Sequence, residues 1–189
     1  MRLPGLSRLG SRSGRDDTPA DDVRFAAFVR QTQRGVWQLC AHLVDRQSAD
    51  DLVQDTFLRA HRSWPTFRGD SSELTWVLSI ARRVCADELT GRTRRRALGT
   101  ALEIAHRTDL AAPSDHAEHI GANALLRELD DDRRAAFVLT QLVGLSYAEV
   151  AEVVGCPVGT VRSRVARARA DLVELLTAGD ADQPATQRR

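Results

Sequence analysis

The stretch from Gly144 to Leu175 restricts the fold more than any other part of the chain. Ser146-Tyr147-Ala148-Glu149 has the spacing of a capping box, in which serine hydroxyl and glutamate carboxylate each close the other's free backbone amide at a helix start. The helix so opened buries Val150, with Val153 or Val154, and stops at Gly155. Gly155-Cys156-Pro157 is a tight turn, and Val158 begins a longer helix. Val158, Val161, Val165, Ala168, Leu172 and Leu175 alternate spacings of three and four, which gives a narrow apolar seam. With that seam inward, Arg162, Ser163, Arg164 and Arg167 fall largely on other faces.

A helix, a Gly-containing turn and a second helix with an open basic face make a helix-turn-helix. From such a helix Arg reaches guanine edges bidentately or grips phosphates, and Ser does either more weakly. The plain alternative is a surface helix that its arginines merely solvate. Here the capping box, the turn and an acid-free stretch coincide, and the balance favours DNA contact.

The rest of the chain reads as all-α, in two small helical domains. Residues 1–20 are rich in Arg, Ser, Gly, Pro and Asp and are expected to be disordered. A first unit spans residues 21–96. Phe25, Phe28, Val29, Thr32, Val36, Leu39 and Leu43 form one buried stripe. Ser48, with Asp51 three residues on, predicts the cap of a second helix that turns Ala49, Leu52, Val53, Thr56, Phe57 and Ala60 inward. After a break at Pro65–Gly69, a third helix buries Leu74, Val77, Leu78, Ala81, Val84 and Cys85 and ends near Gly91–Arg96. Residues 97–118 read as a flexible linker with one short helical turn around Ala101–Ala105. The helix-turn-helix unit follows over residues 119–177, with Leu125, Leu126 and Leu129 and then Ala136, Leu139 and Val143 inward. A disordered tail, residues 178–189, is expected to end the chain. Two such units each have a thin core, so each is expected to lean on partners.

Charge sharpens the reading, although the net is only +1. All 27 basic residues are Arg. From Arg82 to Arg96 six Arg face two acids, a net of +4, and from Val158 to Arg169 four Arg face none. Acid gathers elsewhere, at Asp50, Asp51 and Asp55 and at Glu128 with Asp130–Asp132. Two separate basic stripes suit a chain that touches a polyanion at two places and a basic partner at others. On the third helix, Trp76, Ile80 and Arg83 share a face apart from the buried stripe. Trp is usually core, yet an aromatic beside arginines also stacks on unpaired bases, and composition leaves both readings open.

Other classes find little support. No apolar run approaches the roughly 20 residues of a membrane span, and the arginine-bearing N-terminus lacks a signal peptide's apolar stretch, so the expectation is a cytoplasmic protein without a membrane partner. Cys40, Cys85 and Cys156 are scattered, against both a disulfide framework and a zinc ribbon. His116 and His119 lack companion ligands and read as solvated linker, so neither metal nor cofactor is expected. There is no phosphate loop or nucleophile motif, so an enzyme is not expected. A helix-turn-helix regulator that acts without polymerase remains the main rival. A helical adaptor binding only protein is a weaker one.

GLSYAEVAEVVGCPVGTVRSRVARARADL, above all VGTVRSRVARAR, resembles region 4 of extracytoplasmic-function sigma factors of the sigma-70 family. ADDLVQDTFLRA resembles their region 2.2, and FRGDSSELTWVLSIARRVCADEL resembles regions 2.3 and 2.4. The blocks GCPVGTVRSRVARARADL and TWVLSIARRVCADEL are most similar to the actinobacterial group around mycobacterial sigma factor C. The resemblance implies a factor that binds core RNA polymerase, recognises promoter DNA and promotes transcription initiation. It implies that Arg162, Ser163, Arg164 and Arg167 read the minus-thirty-five element while the surrounding helices dock on the β flap. It places Asp51, Gln54 and Asp55 against the β′ coiled coil, with Phe57 packed inside.

In the same way, Gly69, Asp70, Ser71 and Ser72 would line the pocket for a flipped minus-ten base, and Trp76 would sit at the fork of the opened strands. Arg82, Arg92, Arg94 and Arg95 would meet phosphates. Arg83 stands where many members carry Asn, so their base preference is not carried over. Pro157 stands where many carry a capping Ser. The linker would thread near the polymerase active site, where Glu103 and Asp109 would mimic nucleic acid. An anti-sigma factor is a further possible partner.

Overall fold

A computed structural model describes the backbone of residues 19–105 and 122–181 and the side chains of residues 21–98 and 123–178. All regular structure among them is helical: α1 (Pro19–Leu43), α2 (Ala49–Ser63), α3 (Glu73–Ala105), α4 (Ala122–Glu128), α5 (Asp131–Phe137), α6 (Tyr147–Val154) and α7 (Val158–Ala181). His116, His119, Asp109 and the two termini lie outside the described residues, as does most of the linker.

In the N-terminal unit α1, α2 and α3 pack pairwise. Phe28, Thr32, Val36, Leu39 and Leu43 of α1 are buried, as their spacing predicts, against Leu52, Thr56 and Ala60 of α2 and Val77, Leu78, Ala81, Val84 and Cys85 of α3. Pro65 follows α2 inside a single 3-10 turn, Trp64–Thr66, because proline cannot donate to a continuing helix. Phe67 is extended beyond it, and Gly69 (φ +77°) reverses the chain in a left-handed conformation that costs a side-chain-bearing residue. Two expectations are corrected here. Ser48 makes no side-chain cap, for a reason given below. The third helix does not end at Arg96 but runs on unbroken to Ala105, absorbing the short turn expected there. No proline interrupts it, and Gly91 and Gly99 are each too weak a breaker to end it.

In the C-terminal unit, Asp130 caps α5 by accepting the amides of Asp132 and Arg133, both at 3.0 Å. A π-helical turn, Val138–Leu142, extends α5, and Gly144 (φ +88°) turns the chain toward α6. The capping box forms as its spacing predicts: Glu149 takes the Ser146 amide at 2.8 Å and Ser146 takes the Glu149 amide at 3.3 Å. Gly155 ends α6 in the left-handed conformation (φ 68°). Val161, Val165 and Ala168 of α7 are fully buried, while Leu172 and Leu175 are half-buried. Val158 departs from the predicted seam at 37% exposure, since the first residue of α7 lies beyond the edge of its neighbours.

The two units lean on each other. α3 packs on α6, and α1 packs on α4, α5 and the π turn, so one apolar core runs through both. Gly35 of α1 marks the closest approach. A Cβ there would lie 3.1 Å from Leu74 of its own unit and 3.4 Å from Val143 of the other. Arg134 ties the same seam with polar bonds: its guanidinium donates to the carbonyls of Leu126, Arg127 and Leu129 at the end of α4, and to Leu43 of α1 at 3.3 Å. Arg134 is 9% exposed, and burial pulls its pKa down from the usual arginine value.

Candidate nucleic-acid interface

α7 is anchored by its valine seam, and this decides which of its arginines are free. Arg162, Ser163 and Arg167 are exposed. The Ser163 hydroxyl donates to the carbonyl of Thr160 at 2.9 Å, and neither arginine has a hydrogen-bonding or ionic partner among the described residues. Arg164 differs. It lies half-buried, pairs with Asp132 of α5 and points a second nitrogen at Cys156 Sγ, 3.5 Å away. Arg169, not among the predicted readers, bonds Gln141 of the π turn at 2.9 Å. The surface of α7 outside its seam therefore offers two unpartnered guanidiniums, with a third held by a carboxylate.

The other basic stripe is on α3. Arg83 and Arg94 are exposed and have no partner among the described residues. Arg82 reaches across the seam to Asp132 at 3.5 Å, so one carboxylate holds an arginine from each stripe. Arg92 is committed to Asp45 at 2.5 Å, Glu88 at 2.7 Å and the Ser48 hydroxyl at 2.6 Å, and Arg95 also bonds Glu88, at 3.0 Å. Burial pushes the Asp45 carboxyl up, but Arg92 and the Ser48 amide outweigh it and hold the carboxyl below its ordinary range. That network explains the missing cap at α2: Asp45 takes the Ser48 amide at 2.7 Å while the serine hydroxyl accepts from Arg92.

Trp76 resolves neither wholly as core nor as an exposed platform. It is half-buried in an aromatic cluster, with centroids 5.8 Å from Phe28, 5.9 Å from Trp64 and 4.8 Å from Phe67. Phe67 stacks on Trp64 at 5.8 Å and carries the cluster to the loop before α3. In that loop Gly69, Asp70 and Ser72 are exposed and Ser71 is half-buried. Ser72 also starts α3: its hydroxyl accepts the Thr75 amide at 3.0 Å. The loop and the aromatic cluster thus adjoin, with Arg83 two turns along α3.

The acidic face of α2 lies apart from both stripes. Asp51 and Gln54 are exposed, and Asp55 pairs with Arg59 at 2.9 Å, which reaches Asp87 of α3 at 2.7 Å. Phe57 is half-buried, edge-on to Phe28 at 5.9 Å. Trp37 of α1 extends this face by donating its indole N–H to Asp50 at 3.0 Å. Asp132, Arg134 and Asp45 escaped the sequence reading. Arg92 for Asp45, Arg82 and Arg164 for Asp132, and Leu43 for Arg134 are partners distant in the chain, where no spacing rule applies. The Asp130 cap was legible in principle, as an Asp directly before a helical run.

Comparison with known proteins fits this division. The family model described as sigma-70 region 2 matches residues 28–95, and that described as sigma-70, region 4, matches residues 122–172. The ECF RNA polymerase sigma factor SigC of Mycobacterium tuberculosis is 46% identical over 144 residues, covering 76% of this chain and 78% of the relative. The chain belongs to the extracytoplasmic-function sigma factors. The ECF RNA polymerase sigma-E factor of Escherichia coli K12 is 32% identical to this sigma factor over 163 residues, 79% of this chain and 84% of that one. Among solved structures, CnrH in complex with the cytosolic domain of CnrY aligns at a TM-score of 0.63 and 31% identity, over 86% of this chain and 91% of that one. RpoE in complex with the anti-sigma factor NepR from Bartonella quintana aligns at 0.61 and 28%, over 82% and 97%. Region 2 of this sigma factor is thus the α1–α3 unit and region 4 the α4–α7 unit. No helix among the described residues is long and apolar enough to cross a membrane.

Proposed function

We propose that this sigma factor works in the cytoplasm, brings core RNA polymerase to promoters by reading DNA at two places, and does no chemistry itself. The observation that carries this reading is the pair of separated basic faces, Arg162 and Arg167 on α7 and Arg83 and Arg94 on α3, each with free guanidiniums and each on its own family region. α7 would lie in the major groove at the minus-thirty-five element, with Arg162, Ser163, Arg164 and Arg167 toward bases and phosphates. Gly69–Ser72 and Trp76 would hold the opened minus-ten strand, with Arg82, Arg83, Arg94 and Arg95 toward the backbone. Arg92, bound to three internal partners, would serve mainly to hold region 2 together.

Taking a base out of the stack costs a few kcal/mol, more than two small surfaces supply unaided, which favours a factor acting within polymerase. Asp51, Gln54 and Asp55 would meet the basic β′ coiled coil, where opposite charge steers association, and region 4 would dock on the β flap. In the closed arrangement described here, Arg82 and Arg164 must exchange Asp132 for phosphate or base before they engage DNA. The solved relatives bound to CnrY and NepR support an anti-sigma factor as a further partner.

Run-off transcription with core polymerase on genomic promoter fragments tests the reading. Promoter-specific transcripts should fall about tenfold or more with Arg164→Ala, the loss of one bidentate contact. They should fall likewise with Trp76→Ala, whose helix content is checked alongside. Tight duplex binding by the free protein without stimulation of core polymerase would overturn the reading in favour of a regulator that acts alone.

A further inference from the structure

Two of the three cysteines, far apart in sequence, meet in the core of region 2. Cys40 of α1 and Cys85 of α3 are 45 residues apart, both buried and both free thiols, with Cys85 donating to Cys40 across 3.7 Å. Two sulfurs at that distance need to approach by only about 1.7 Å to reach a disulfide's bond length of about 2.05 Å. Cys85 is only 1% exposed, yet a recess lies beside it. Cys85 lines a cavity of about 180 Å³ in the seam between the two regions, with Arg82, Ala86 and Leu89 of α3, Leu43 of α1, and Asp131 and Asp132 of α5. That volume admits a hydrogen peroxide molecule, and within a mostly apolar lining Arg82, Asp131 and Asp132 offer it polar partners. Cys40 is not among the lining residues, so the two thiols differ in access.

We infer that Cys40 and Cys85 form a dithiol that a small hydroperoxide closes to a disulfide joining α1 to α3, with Cys85 the sulfur that meets the oxidant from the seam cavity. Cys85 sulfur attacks the peroxide O–O bond, giving a sulfenic acid and one water. Cys40 sulfur then attacks the Cys85 sulfur and expels its hydroxyl as a second water. The two thiols give up two electrons and two protons, and the peroxide is reduced to two waters. The hydrogen bond to Cys40, and then burial, push the Cys85 thiol up, so thiolate is scarce near neutral pH and the first step is slow. The second step is fast by comparison, because the resolving thiol is already in contact, and this protects the sulfenic acid from further oxidation. Cys156, half-exposed in the turn before α7, has no neighbouring thiol and stands as an internal control.

The full-length reduced chain is treated with excess hydrogen peroxide for increasing times. Remaining thiols are then alkylated in denaturant, and non-reducing peptide maps are read by mass spectrometry. The expected result is a linked pair of peptides carrying Cys40 and Cys85, two hydrogens lighter than their sum and released by dithiothreitol. The pair should persist in Cys156→Ser and vanish in Cys85→Ser. Recovery of Cys40 and Cys85 fully alkylated after Cys156 is oxidised would overturn the inference, as would sulfinic acid at Cys85 in place of the bridge. Cys156→Ser changes only the edge of the core and neither thiol of the pair, so the inference remains open to refutation even if the Cys85 variant fails to fold.

Discussion

Regions 2 and 4 of this sigma factor each start a helix at a serine followed three residues later by an acid, and only one of the two forms a cap. In region 4, Ser146 and Glu149 bond each other's amides, and Glu149 is held below its ordinary pKa by the Ser146 bonds. In region 2, Ser48 donates its amide to Asp45 while its hydroxyl accepts from Arg92, a residue 44 positions away, and Asp51 remains exposed. A capping box needs both side chains free to turn back on the helix, and Arg92 removes one of them. Region 4 closes the start of α5 and both ends of α6 locally, through Asp130, Ser146 and Gly155. In region 2 the Ser48 amide goes to Asp45, and a guanidinium from another helix occupies the hydroxyl that would otherwise cap α2.

The largest test of this contrast is Arg134, where region 4 departs from its own habit. Its guanidinium satisfies three carbonyls at the end of α4 and one at the end of α1. Arg134→Ala leaves those acceptors buried without donors and should cost about 3 kcal/mol. For a chain of this size that lowers the thermal midpoint by about 6–12 °C. Arg134→Lys should recover only part of it, since one ammonium cannot span acceptors that a planar fork reaches. Calorimetry of the three proteins decides; an unchanged midpoint in Arg134→Ala would mean that the seam is held by apolar contact alone.

Arg92→Ala should come next, at about 1–2 kcal/mol near neutral pH, because Asp45 and Glu88 are only partly screened by solvent. The sign of its pH dependence follows from Asp45, whose folded pKa is depressed. The stabilisation is present above the ordinary carboxylate value and is lost as the pH falls through the folded one. Urea midpoints of the two proteins should therefore differ at pH 7 and converge below about pH 4. A gap that persists into acid would show that the Arg92 stem, and not its charge, holds α2 to α3.

The same contrast explains what was legible in the sequence. Helix order, the buried stripe of α1, the capping box and the Gly155 turn were readable because each rests on residues three or four apart. The loss of the Ser48 cap was not, because Arg92, distant in the chain, decides it. Nor were the reach of α3 to Ala105 and the exposure of Val158, which turn on weak breakers and on an end position. At the candidate site, sequence pattern placed Arg162 and Arg167 on an open face, but it could not place Asp132 between Arg82 and Arg164. Nor could it show that Trp76 shares its place with Phe67 and Trp64, since that packing depends on how the 3-10 turn folds back. Local order was in the spacing, and the pairing of charges was in the tertiary structure.

The smallest effects sharpen the comparison most. Ser146→Ala removes a formed cap and should cost about 1 kcal/mol. Ser48→Ala removes one of three acceptors from Arg92 and should cost about 0.5 kcal/mol, as Asp45 and Glu88 keep the guanidinium engaged. The decisive quantity is how each change combines with Arg92→Ala. Changes at sites without shared partners add within about 0.5 kcal/mol, so Ser146→Ala should cost the same in either background. Ser48→Ala should lose its effect once Arg92 is gone, because the hydroxyl then has no guanidinium to bind. Urea unfolding of the two double-mutant cycles measures both couplings. If Ser48→Ala instead became costlier in the Arg92→Ala background, the freed hydroxyl would have turned back to cap α2, and the competition between Arg92 and the helix start would be demonstrated directly.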